Sequence, residues 1–473
     1  MPNLGFCVHG HFYQPPREDP LTGEIPVEAG AAPYRNWNER IHSQCYYPNA
    51  LLQNFERISF NIGPTLMEWM FDYDPETQTS IIQQNQKNIE KNGVGNAMAQ
   101  AYNHTILPLA SAHDKITQVR WGIADFQLRF GYKPSGMWLP EAGVDDATLS
   151  VLADCGIQFT ILAPWQADTN HLNTNQAYRV ELPGGRDFNV FFYNQELSTR
   201  VSFDPASTVN ADRFLAEHIL PLFNMDISRN GSDLESQLVM IASDGELYGH
   251  HQPFRDKFLA YLLDGALRNH TVSLTYPALW LKQNPPQAVM KIRQSTSWSC
   301  HHGVLRWSGV CNCTPHSDWK MVFRLALEKL AEAIDAEYLR VLGGRLDDPW
   351  ELRHRYIHVL HGVTTLEDLI YELSGWKPDT RSMRALEWLL RAQYERQRMF
   401  TSCGWFFDDY DRIEPKNNTA YAAQAVWLTR MATGVDLTEL AGEHLEKVVS
   451  WRSGMRADNV FMRHLQRARR AWE

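Results

Sequence analysis

Over its first 285 residues the chain alternates short apolar runs with amphipathic stretches. Leu4–His9, Arg57–Ile62, Gly95–Tyr102, Gly136–Leu139, Phe159–Leu162, Asn189–Tyr193 and Leu238–Ala242 have the length and apolar character of buried strands. Between them, Thr79–Lys91, Ala110–Phe130, Asp145–Cys155 and Asp212–Asn224 read as helices. This strand-then-helix rhythm predicts a parallel sheet or a (β/α) barrel, and period alone does not separate the two. Beyond about residue 285 the pattern changes. Asp318–Leu342 and Asp379–Phe400 are long, amphipathic and rich in Leu, Ala, Glu and Arg, and Ala420–Thr433 and Thr438–Trp451 are shorter stretches of similar character. The expected organisation is a catalytic barrel over 1–285 followed by an α-helical domain over 286–473 that completes a substrate cleft.

The polar residues favour the barrel. His9-Gly-His11 follows the first apolar run, Asn103-His104 the third, Glu141 the fourth and Asp244-Gly-Glu246 the last. In a barrel the C-terminal strand ends converge on one face, whereas an open sheet gathers ligands only near a switch point.

Composition narrows the partners. The formal net charge of −10, with no basic stripe, argues against nucleic acid and acidic membranes. Aromatic residues make up 12%, with 16 Trp, which leans weakly toward sugar rings over phosphorylated ligands. The N-terminus has no basic region followed by an apolar one, and no run approaches a membrane span. Seven cysteines, an odd number in a large chain, fit a reducing cytoplasm.

Two segments carry candidate chemistry. Gly136-Met-Trp138-Leu-Pro140-Glu141 sets a carboxylate just past a proline that ends a strand, with Trp138 as a flat face nearby. The bland alternative is a surface Glu opening the next helix. Ser243-Asp244-Gly-Glu246-Leu-Tyr-Gly-His250-His251 ends an apolar strand in two carboxylates and two imidazoles. Such groups are costly there unless solvated, paired or used. Glu141 and Asp244 on facing strand ends fit glycoside cleavage, in which one carboxylate attacks the anomeric carbon and the other protonates the departing oxygen. Sequence gives no separation between them, so retention and inversion stay open on this ground.

The chain resembles glycoside hydrolase family 57 in five places. These are His9-Gly-His11-Phe-Tyr-Gln14-Pro15, Ala101-Tyr-Asn-His104-Thr-Ile-Leu-Pro108, Trp138-Leu-Pro-Glu141, Ser243-Asp244-Gly-Glu246 and Phe400-Thr-Ser-Cys-Gly-Trp405-Phe-Phe. The resemblance implies a (β/α)7 barrel, a retaining mechanism on α-glucans or malto-oligosaccharides, and no cofactor. It implies Glu141 as nucleophile and Asp244 as acid/base. It also implies that His9, His11 and His104 line the reacting-sugar subsite with Glu246 close by, and that Trp405 reaches the barrel mouth. Gln14 and His250 join the substrate-binding set with these motifs. The match is not complete: His104 stands where several members carry Glu, and Cys403-Gly404 where many have Ser-Asp.

The cluster Trp298-Ser-Cys300-His-His302, followed by Cys311-Asn-Cys313 and His316, has the residue types of a zinc site. Cys-x-Cys lacks the usual spacer, so no metal ligand is assigned. The preferred reading is a substrate-facing loop with Trp298 and His302 beside the cleft, and buried Trp and Cys at a domain junction is the alternative. Two rival functions remain: a metal-dependent hydrolase or deacetylase using His9, His11, Asp244, His250 and His251, and an inactive glycan-binding protein of the same fold.

Overall fold

The computed structural model describes residues 3–224 and 235–472, folded as two compact units. The first comprises Met1–Gln14, Val27–Gln100 and Phe126–Trp298; the second comprises Pro15–Pro26, Ala101–Asp125 and Ser299–Glu473.

In the first unit the strands are β1 (Leu4–Phe12), β2 (Ser59–Ile62), β3 (Ala97–Gln100), β4 (Met137–Trp138), β5 (Phe159–Leu162), β6 (Ala177–Leu182), β7 (Arg186–Phe192), β8 (Gln237–Asp244) and β9 (Ser273–Leu274). Seven run parallel in the order β7-β5-β4-β3-β2-β1-β8, with β4 joined to β5 through the Gly136–Phe159 bridge. The ring closes where the Asn194 N–H donates to the Met240 carbonyl at 2.7 Å. This is the expected (β/α)7 arrangement. The strands β6 and β9 are additions that the apolar runs did not predict. β6 pairs antiparallel with β7 across Pro183-Gly184-Gly185, both glycines at positive φ, and β9 pairs with the start of β1.

Strand alternation decides which side chains fill the barrel. On β8, Leu238, Met240 and Ala242 pack into one apolar cluster with Cys7, Met98, Trp138, Phe159, Ile161 and Phe191. The next residues of the same parity are His9 and His11 on β1, Asn61 on β2, Gln100 on β3 and Asp244 on β8. The lower interior is therefore apolar and its C-terminal end polar. The other parity faces the surrounding helices: Phe12 packs against Phe55 at 5.0 Å and Tyr46 at 6.2 Å between ring centroids.

Helix boundaries follow local chemistry. Asp145 caps the helix Asp146–Asp154 by accepting from the Thr148 N–H, and Gly93 ends Pro75–Asn92 in the left-handed conformation. The expected helix Asp212–Asn224 is instead broken into an α turn at Ala211–Phe214, a wider turn at Leu215–Ile219 and a tight one at Leu220–Leu222. Pro221 cannot donate a backbone hydrogen bond there and stops the helix.

The second unit is built on helices Asp318–Leu342, Thr380–Arg398, Ile413–Thr433 and Ala457–Trp472. One of its apolar cores gathers Trp307, Trp319, Phe323, Trp405, Tyr410 and Tyr421, and another surrounds Trp121, Tyr338 and Leu389. A buried ion network crosses the unit: Asp114 meets Arg353 at 3.0 Å and Arg396 at 2.7 Å, and Arg396 also meets Asp335 at 2.7 Å. Among the described residues, no helix is long and apolar enough to cross a membrane.

Candidate active site

The polar end of the barrel is built from strand ends. β1 sets His9 beside Ser59 and Asn61, and His11 directly across from Asp244 in the β1–β8 register. The two imidazoles stack on Trp138, with ring centroids at 4.9 and 5.0 Å. His9 Nδ1 lies 2.9 Å from Ser59 Oγ and its Nε2 3.2 Å from Asn61 Oδ1. His11 Nδ1 shares Asn61, whose amide in turn donates to Gln100 Oε1 at 2.8 Å. Burial, with each other's charge adding for His9, holds both imidazoles down to about 3. Both are neutral at pH 7, but His9 corrects the expectation of a sugar ligand: it is 0% exposed with both ring nitrogens engaged by Ser59 and Asn61, and it supports the His11 side of the pocket instead.

Glu141 follows β4 in a conformation unusual for a residue with a side chain, φ 57° and ψ 23°. Ala142 continues at φ 47°. Backbone strain of this kind persists only where neighbours enforce it. Here Trp298 does so twice. Its backbone N–H donates to the Glu141 carbonyl at 2.9 Å and its indole N–H to Glu141 Oε2 at 3.2 Å. The antiparallel bridge Val144–Thr296 ties the same two segments together.

Asp244 ends β8. Its side chain is exposed, yet the surrounding protein still desolvates its carboxyl. That desolvation, together with the charges of Glu246 and Glu141, pushes its carboxyl up to about 8. Geometry and electrostatics agree on the direction, because its close charged neighbours are carboxylates. Tyr193, at the end of β7, is near enough for Asp244 to raise its phenol further above the usual range, after burial.

Glu246 is held differently. Its Oε1 accepts from the Tyr46 hydroxyl at 2.6 Å and the Tyr13 N–H at 3.0 Å, and Gln14 donates to Tyr46 at 3.1 Å. Burial outweighs these donors and raises it to about 7. Between the two carboxylates, Gly245 is obligatory: an added Cβ would lie 2.3 Å from the Phe12 ring.

The first unit thus brings together His9, His11, Gln14, Trp138, Glu141, Asp244, Glu246 and Trp298. His250 belongs to it too, but its Nδ1 is 2.6 Å from Gln44 Oε1 and its ring meets the edge of Trp37. The other three expected residues lie in the helical unit. His104 is buried at φ 54° with Nδ1 2.6 Å from Ser402 Oγ, so the Ala101–Pro108 and Phe400–Phe407 motifs meet there. His302 turns its Nδ1 to Cys313 at 3.3 Å rather than presenting it as a sugar ligand. Trp405 corrects the expectation of a stacking face. It is 0% exposed, packs against Phe323 at 5.1 Å, and donates its indole N–H to the Lys320 carbonyl. Its bulk and apolarity serve the helical core.

Sequence reasoning missed Ser59, Asn61, Tyr46 and Tyr193. Tyr193 closes a predicted strand, so its position carried the same signal as Asp244. The metal-hydrolase rival needs donor atoms of His9, His11, Asp244, His250 and His251 to converge. Among the described residues they form no such group.

A family model described as Glycosyl hydrolase family 57 matches residues 8–293, which takes in the barrel from the second half of β1 onward. The chain belongs to this family. A second family model, described as a domain of unknown function (DUF3536), matches 316–471 in the helical unit. The chain is similar to an alpha-amylase of Pyrococcus abyssi, 22% identical over 252 residues that cover 53% of this chain and 33% of that protein. It is similar to a 4-alpha-glucanotransferase of Thermococcus litoralis, 20% identical over 264 residues, 53% of this chain and 37% of that one. The chain thus spans about a third of the length of these curated relatives. Its fold is shared with a solved exo-type maltose-forming amylase of Pyrococcus sp. ST04, at TM-score 0.74 and 14% identity, covering 98% of this chain and 88% of that one.

Proposed function

We propose that the protein cleaves or transfers α-glucosidic bonds with retention, Glu141 acting as nucleophile and Asp244 as general acid and then base. The observation that carries this reading is the pairing itself. Within a barrel of a glycosyl hydrolase family, a carboxyl held protonated near neutral pH stands within electrostatic reach of a second carboxyl fixed in a strained turn. In the first step Asp244 gives its proton to the departing glycosidic oxygen while Glu141 bonds to the anomeric carbon. In the second, Asp244 takes a proton from the incoming hydroxyl as the bond to Glu141 breaks. Water gives hydrolysis, and a sugar hydroxyl gives transfer.

The neutral His11, stacked on Trp138, is suited to hydrogen-bonding a hydroxyl of the reacting sugar, while His9 supports it from beneath through their shared partner Asn61. The names of the similar proteins, an amylase and a glucanotransferase, support an α-glucan substrate and leave both acceptors open. Among the described residues the cysteines form no disulfide, which suits a reducing cytoplasm. The test is incubation with malto-oligosaccharides of one defined length. Shorter products alone mean hydrolysis, and longer ones together with shorter ones mean transfer. An unchanged substrate, under conditions where the protein stays folded, would reject the α-glucan assignment.

A further inference from the structure

The cysteine cluster that sequence spacing left unassigned assembles within the helical unit. The thiols of Cys300, Cys311 and Cys313 and one ring nitrogen of His302 all lie within 4.8 Å of one another. Cys300 Sγ is 3.5 Å from Cys311 Sγ and 3.9 Å from Cys313 Sγ. His302 Nδ1 is 3.3 Å from Cys313 Sγ and 3.5 Å from Cys311 Sγ. A tetrahedral zinc site with Zn–S of about 2.3 Å and Zn–N of about 2.05 Å has edges of roughly 3.8 Å between sulfurs and roughly 3.6 Å between sulfur and nitrogen. Four of the six donor–donor distances already stand near those edge lengths, and the other two are within 4.8 Å. They are too far apart for a disulfide, whose sulfurs sit about 2.05 Å apart.

The backbone presents the donors on two tight turns. The Gly303 N–H donates to the Cys300 carbonyl at 3.1 Å, with Gly303 at φ 71°, and the His302 N–H donates to the Cys300 sulfur. The Thr314 N–H donates to the Cys311 carbonyl at 3.0 Å, and the Cys311 N–H to Ser317 Oγ at 3.0 Å. Cys300 and Cys311 are buried in the core with Trp307 and Trp319, whereas His302 and Cys313 are exposed. An ion can therefore enter from solvent and finish bound to the core.

We propose that Cys300, His302, Cys311 and Cys313 bind one Zn²⁺ as a structural site that staples the 300–303 and 311–314 turns to the start of the helix Asp318–Leu342. Four protein ligands complete the tetrahedron and leave no open position for catalysis. Three thiolates and a neutral imidazole around Zn²⁺ carry a net charge of −1. The Lys320 ammonium can balance that charge: it is fully buried, has no hydrogen-bond partner among the described residues, and feels the Cys311 and Cys300 sulfurs. Metal binding would release the protons of the three thiols to solvent and reduce or oxidise nothing.

The test uses the full chain expressed with zinc and purified anaerobically without chelator. Elemental analysis should find about one Zn²⁺ per chain. After chelation the melting temperature should fall and then recover on adding Zn²⁺ alone. Co²⁺ added to the stripped protein should give the thiolate charge-transfer bands of a tetrahedral site. In Cys313→Ser and His302→Ala, both at exposed positions, zinc content and the cobalt bands should drop by at least tenfold. Wild-type protein that stays metal-free after zinc reconstitution would overturn the proposal whatever the variants do. Full zinc content in both variants would overturn it equally, as would a Cys300–Cys311 disulfide in the anaerobic protein.

Discussion

Asp114 is buried and Asp244 is exposed at the end of β8, one in each unit, yet the surrounding protein desolvates both carboxyls and drives them the same way. What surrounds them differs. Asp114 is clasped by Arg396 and Arg353 and accepts from Gln397 at 2.8 Å, and these partners overcome burial and hold its carboxyl well below the usual range. Asp244 faces Glu246 and Glu141, whose charges add to desolvation and raise it to about 8. A buried carboxylate supplied with its own cations is scaffold. One set among other carboxylates is driven to keep its proton, and such sites are where proton transfer is done. Desolvation alone distinguishes neither.

The largest effects should separate the two by activity. Asp244→Asn and Glu141→Gln are expected to fold and to lose turnover on a natural glucan by about a thousandfold or more. Asp114→Asn should leave kcat of the folded fraction within a few-fold. Steady-state kinetics on protein shown to be folded by circular dichroism checks both.

Stability should separate them in the opposite sense. Asp114→Asn leaves Arg353 and Arg396 short of a buried counter-charge and should cost about 3–5 kcal/mol in denaturant unfolding. Trp405→Ala, in the same unit, should cost about 3–5 kcal/mol through the cavity it opens, with kinetics of the folded fraction near wild type. A raised KM for Trp405→Ala without loss of stability would return that side chain to substrate binding.

The pH dependence of stability should have opposite slopes at the two sites. A folded carboxyl raised from 3.8 to about 8 contributes stability below about pH 4 that is lost as pH rises toward 8. A lowered one contributes stability above about pH 4 that is lost as pH falls. Relative to wild type, Asp244→Asn should therefore gain stability from pH 5 to 8, and Asp114→Asn should lose the acid-side slope. Chemical unfolding from about pH 2 to 8 reads both.

The smallest effect is a shift rather than a loss. Glu246→Gln removes one of the negative neighbours of Asp244, so the alkaline limb of the pH–rate profile should move to lower pH. The limb belongs to the coupled carboxylates, not to one group alone. An unmoved limb would detach Glu246 from the proton chemistry.

Much of this was legible from residues. The seven parallel strands were each marked by an apolar run, and Asp244 and Glu141 stood out because polar groups ended those runs. The turn of the β6–β7 hairpin is marked by Pro183-Gly184-Gly185, but Arg179 and Glu181 interrupt β6, so it lacks the continuous apolar run that marks the parallel strands. Asn61 and Ser59 sit inside a strand, where a polar residue reads as a weakness until its neighbours are known. Trp405 was misplaced because an aromatic in a motif looks the same whether it faces sugar or core. The residue types of a zinc site were visible in the cysteine cluster, but no ligand was assignable because spacing rules are local. Its ligands come from two turns about eleven residues apart, and neither Cys300-His-His302 nor Cys311-Asn-Cys313 has the familiar spacing.

The most direct measurement is capture of the glycosyl-enzyme. Asp244→Asn, incubated with an α-maltosyl fluoride whose leaving group needs no proton, should form the covalent intermediate and release it slowly for want of a base. Peptide mass mapping should then find the sugar on Glu141, and the double variant Asp244→Asn/Glu141→Gln should carry none. Sugar attached to Glu246 or another carboxylate would contradict the assignment, as would wild-type turnover that inverts the anomeric configuration.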